Sequence, residues 1–184
     1  MTKTLLIIIR LKCVVLGDFK IKIEKIIKFC YNIIKIERKY IMASALSIIK
    51  KFVNSIDSEI KVGFDNNFCV NLSEKKIYIE DYEHPENEKL IKDFVKNKFN
   101  VTMDPFLIGV LHEVGHLITY DSQLDKERTV LQSLLSLCYD KTQHKKYSEA
   151  YYSIPAELAA TAWAVQYYKD NKQHCEDFLK ELFC

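Results

Sequence analysis

One stretch constrains this chain more than any other. From Asp104 to Tyr120 the residues are apolar on nearly every side, except for His112, Glu113 and His116. Asp104 is placed to cap a helix and Pro105 to occupy its first turn, so the stretch predicts a helix starting there. A helix that is apolar all round is a buried, central one. Two imidazoles and a carboxylate inside it cost several kcal/mol unless each finds a partner. Gly109 and Gly115 each cost about 1 kcal/mol of helix propensity, which predicts close approach of other groups at both.

His112-Glu113-Val114-Gly115-His116 spaces its histidines at i and i+4, so both rings project from one helix face at a separation suited to one metal ion. Glu113 is rotated about 100° from His112, which puts its carboxylate beside the ion rather than on it. Zinc lowers the pKa of bound water to about 7, and such a carboxylate can take up the released proton. The plainer reading of the same residues is a pair of hydrogen-bonded core histidines.

Two histidines leave a catalytic zinc one protein ligand short. The leading candidate is Glu157, 41 residues past His116. Pro155 fixes a helix start and puts Glu157 in its first turn, with Glu157, Ala160, Thr161 and Ala164 on one face. The small residues of that face would let the helix pack close against the histidine helix. The competing role for Glu157 is a first-turn acid facing the helix dipole. Glu149 is the second candidate, followed by Asp121 and Asp125.

These residues resemble the gluzincins, zinc metallopeptidases with two histidines on one helix and a glutamate on a later one. Among them the small ImmA/IrrE-like peptidases of bacteria and their mobile elements look closest. The resemblance covers Ile77–Glu80, Asp104–Tyr120 and Glu157–Ala164. It implies His112, His116 and Glu157 as ligands of one zinc ion per chain, Glu113 as general base, and an endopeptidase acting on a protein or peptide substrate. It also implies that the substrate adds as a strand to a sheet edge, for which Ile77–Glu80 is the candidate. Many gluzincins carry an aspartate four residues after the ligand glutamate to orient the first histidine. Thr161 stands there in this chain, and Thr161 or Asp121 are the substitutes. The segment 125–139 has no counterpart in the pattern. The rival expectation is a regulatory protein that keeps the fold without hydrolysing anything.

A donor for the reaction's oxyanion is expected among Tyr120, His144, Tyr147, Tyr151 and Tyr152, with none singled out. His84 and His174 read as surface residues, and His144-Lys145-Lys146 as a solvated loop.

Elsewhere, helical periodicity covers residues 43–56, 85–99, 125–139, 155–168 and 173–183. Three short strands, 60–64, 68–72 and 77–80, are expected to form a small antiparallel sheet, the first two joined as a hairpin through Asp65-Asn66-Asn67. The fold class is α+β: this sheet packed on a mainly helical, zincin-like domain over 42–184, with the His112–His116 helix at its centre.

Charge separates the first 41 residues from the rest. They hold ten Lys/Arg against three Asp/Glu, whereas the remainder holds 17 against 22. An acidic body argues against a nucleic-acid partner. The basic Ile/Lys-rich arm reads in two ways, as sequence upstream of a true start at Met42 or as an amphipathic helix touching membrane or body. Its apolar run, Leu5 to Ile9, is short for a signal peptide or a span, and the six cysteines show no metal or redox spacing. A cytoplasmic protein with free thiols is therefore expected. The resemblance and the AT-rich codon bias of the arm suggest a phage or other mobile element.

Overall fold

The structure, a computed structural model, describes residues 43–65, 67–80 and 85–183. The arm 1–41, Met42, His84, Cys13, Cys30 and Cys184 lie outside the described residues. Ala45–Cys184 form one compact unit.

The described chain begins in helix α1 (residues 43–56), which buries Ile49, Phe52 and Val53. Three strands follow: β1 (Lys61–Asp65), β2 (Cys69–Asn71) and β3 (Lys76–Glu80). Helices then fill the remainder: α2 (Pro85–Phe99), α3 (Pro105–Ile118), α4 (Ser122–Leu137), α5 (His144–Tyr152), α6 (Pro155–Asp170) and α7 (Lys172–Phe183). The class is α+β, mostly helical, with one small sheet. No described helix is long and apolar enough to cross a membrane.

The sheet is mixed, not antiparallel as expected. Its order is β1-β3-β2, with β1 parallel to β3 and β2 antiparallel to β3. Val62 and Val70 both pair with Ile77 from opposite sides. The segment after β1 is thus no hairpin turn. It carries the chain past the place that β3 later fills, and the tight turn comes at residues 72–75, where Lys75 takes φ 47. Apolar alternation fixes which face of a strand is inward but not which neighbour it takes. β3 is the best-buried strand, with Ile77 and Ile79 fully covered, and it occupies the centre. Ile77–Glu80 is therefore not a sheet edge, and β1 and β2 are the edges.

Helix α3 runs through the core, with every residue from Leu107 to His116 buried. Asp104 caps it as expected, accepting from Phe106 N at 2.9 Å and Leu107 N at 3.3 Å. Both glycines have packing reasons. A Cβ at Gly109 would lie 2.9 Å from the Phe68 ring, and one at Gly115 only 2.5 Å from the Ala160 carbonyl oxygen. Helices α3 and α6 thus meet main chain to main chain. The far side of the core is closed by α7, whose Phe178 stacks on Phe52 with ring centres 4.1 Å apart.

Two helices differ from the sequence expectation. α4 starts three residues earlier, at Ser122, because Asp121 caps it through Gln123 N and Leu124 N. α5 begins at His144, where a loop was expected; none of its residues is completely buried, so it carries little apolar pattern to read. Cys69 and Cys138 are exposed free thiols and Cys175 is a buried one.

Candidate metal centre

Three side chains from two helices converge between α3 and α6. His112 Nε2 lies 3.0 Å from Glu157 Oε2, His116 Nε2 lies 3.2 Å from the same oxygen, and the two ring nitrogens are 3.1 Å apart. Glu157 is completely buried, while His112, His116 and Glu113 keep less than a tenth of their surface exposed. These three side chains could hold one metal ion.

The hydrogen-bond network assigns the His112 tautomer. Thr161 Oγ1 donates to the Glu157 carbonyl one turn back, at 2.8 Å. With its proton committed, the same oxygen accepts from His112 Nδ1–H at 3.0 Å. A neutral His112 then turns a lone pair toward Glu157 and His116. His112 Nε2 and Glu157 Oε2, two lone-pair atoms 3.0 Å apart, repel unless a proton or a cation lies against them.

Glu157 uses its other oxygen elsewhere. Gln132 Nε2 donates to Oε1 at 3.1 Å, and Arg128 Nη1 stands 3.7 Å from it. Burial pushes the Glu157 carboxyl upward, but the two imidazoles beside Oε2 outweigh it and hold the group well below the ordinary carboxylate range. Glu113 has the opposite balance. Burial pushes its carboxyl up to about 7, opposed by His112 and Arg128 and reinforced by Glu157. The centre thus pairs an ionised ligand-type carboxylate with one poised to exchange a proton near neutral pH.

The remaining candidates fall in different places. Tyr151 and Tyr152 lie beside the centre; burial, then the Glu157 and Glu113 charges, raise both far above the ordinary phenol value, so both keep their protons. Tyr152 meets the His112 ring edge-on at 6.2 Å. Tyr147 and His144 instead pack on Tyr139, and Tyr120 is largely exposed. Glu149 is exposed and 3.9 Å from Lys145, so it takes no part in the centre. Asp121 is occupied as a helix cap, and Asp125 accepts from Arg128 Nη2 at 2.5 Å. His174 is exposed at the surface, 2.9 Å from Ser55 Oγ. Thr161, not Asp121, occupies the orienting position.

Sequence reasoning missed Arg128 and Gln132. The signal available was their i, i+4 spacing on the segment without a counterpart in the gluzincin pattern. A shallow cleft opens at His116, lined by Leu72, Tyr120, Leu124, Asp125, Arg128 and Ala156 among others. The edge strand β2 packs against α3, the helix that carries both histidines, and its Cys69 thiol is raised by partial burial and then by the Glu113 charge. No protein family, curated protein or solved structure matches this chain.

Proposed function

We propose that the chain is a zinc-dependent endopeptidase of the gluzincin kind that hydrolyses peptide bonds of a protein substrate in the cytoplasm. The observation that carries this reading is the convergence of His112 Nε2, His116 Nε2 and Glu157 Oε2 within about 3 Å of one another, in a site with Glu113 one residue along the helix. Two imidazoles and one carboxylate are a donor set that suits a catalytic zinc, which keeps a further position open. The ion supplies Lewis-acid activation of water and of the scissile carbonyl.

The chain's own residues do the rest. Thr161 holds the His112 ring so that Nε2 is the free nitrogen. Glu113, raised by burial, receives the proton of the attacking water and returns it to the leaving amine. Tyr151 and Tyr152 keep their hydroxyl protons; that of Tyr151 is engaged by Glu157, which leaves Tyr152 as the candidate donor for the oxyanion. An extended peptide would add to β2, the edge strand beside the centre, with the cleft at His116 receiving a neighbouring side chain.

The test is metal content and hydrolysis measured together on the full chain. The expected result is one zinc per chain, cleavage of a protein substrate that stops with a chelator, and a Glu113→Gln variant that keeps its zinc but loses hydrolysis. Full activity in a metal-free preparation would overturn the reading. A zinc-loaded wild type that cleaves nothing would favour the rival, a regulatory protein on a metallopeptidase scaffold.

A further inference from the structure

Helix α4 buries none of its residues completely, yet it sends two side chains to the centre. Gln132 and Arg128, one turn apart, both address Glu157 Oε1, the oxygen turned away from the histidines. Arg128 is itself steadied by Asp125, and its Nε is buried without a hydrogen bond. Gln132 is further fixed by the Tyr151 hydroxyl, 3.4 Å from its Nε2.

A carboxylate can give a metal one oxygen or two. Giving two uses a second coordination position, the one a catalytic site must leave for water and substrate. With Oε1 engaged by an amide N–H and a guanidinium, only Oε2 points at the imidazoles. We infer that Gln132 and Arg128 are positioning residues that restrict Glu157 to a single ligating oxygen and so keep the metal's reactive position open. The inference rests on the metal-centre reading above and assigns α4 a task in it. It acts through Glu157, with no contact to substrate required.

The experiment replaces zinc by Co²⁺ in the full-length chain, because the intensity of cobalt's visible bands falls as its coordination number rises. Wild type is expected to show the strong bands of a low-coordinate site. Gln132→Met keeps the side chain's length and removes the donor; Gln132→Ala removes both. Each is expected to weaken the cobalt bands and to lower zinc affinity about 10–100-fold, with Gln132→Glu weaker still because it sets carboxylate against carboxylate. Circular dichroism of the metal-free variants controls for folding, and Gln132 is only half-buried on a helix with no core residue. Unchanged cobalt spectra and unchanged zinc affinity in folded Gln132→Met and Gln132→Ala would overturn the inference while leaving the metal centre standing. A wild type that takes up neither ion would overturn both.

Discussion

Thr161 receives the His112 Nδ1–H at 3.0 Å while handing its own proton to the Glu157 carbonyl at 2.8 Å. One hydroxyl thereby ties the ring of one proposed ligand to the backbone of another. Thr161→Val keeps the shape and deletes both bonds. Zinc affinity should fall about 10–100-fold, measured by competition with a chromophoric chelator. Equal affinity in the two proteins would show that the ring is oriented by packing alone.

Metal uptake should also be visible as stability. A ligand that binds only the folded state at about 100 times its dissociation constant adds roughly 2.7 kcal/mol. For a body of this size that raises the melting temperature by about 5–15 °C. Calorimetry with and without zinc should show the increment in wild type and none in Glu157→Ala. An increment that survives Glu157→Ala would place the ion elsewhere.

The two helix glycines should respond differently to a methyl group. At Gly115 the added carbon meets main-chain atoms of Ala160 that cannot move aside, and Gly115→Ala should cost about 1–3 kcal/mol despite its better helix propensity. At Gly109 the obstacle is the outer edge of the Phe68 ring, which can shift, so Gly109→Ala should cost less than about 1 kcal/mol. Urea unfolding of the two variants checks the ranking, and the reverse order would contradict the packing described.

Alkaline pH offers a test away from the centre. Burial, then the Glu176 charge, pushes the Cys175 thiol up from 9.0 to about 11. The folded chain therefore holds this proton at pH values where the unfolded chain releases it. The stability it provides is complete below pH 9 and is lost as pH rises toward 11, by about 1–2 kcal/mol. Unfolding free energies of wild type and Cys175→Ala, compared at pH 8 and 11, should converge as pH rises. Parallel curves would show that the thiol does not contribute.

Much of the centre was legible in the sequence because its parts are local. The i, i+4 histidines, the Asp104 cap, the Pro155 helix start and the Glu157/Ala160/Thr161/Ala164 face each need only one turn of helix to read. The two glycines announced tight packing without naming the neighbour. Strand order was not legible: the alternation around Ile77 and Ile79 says that they are buried, while the central place of β3 depends on pairings on both sides. Arg128 and Gln132 were hidden for another reason. They are polar residues on a helix whose apolar positions mostly stay exposed, and only the tertiary arrangement brings them to Glu157. α5 was hidden because it is short and contributes nothing fully buried.

Gly115 and Ala160 touch through main-chain atoms, and this has a consequence for how the centre can vary. Peptide atoms are common to every residue, so the gap separating the imidazoles from the carboxylate is gauged by parts that mutation cannot resize. Surrounding side chains are free to drift over time while that gauge holds, provided position 115 never acquires a branch.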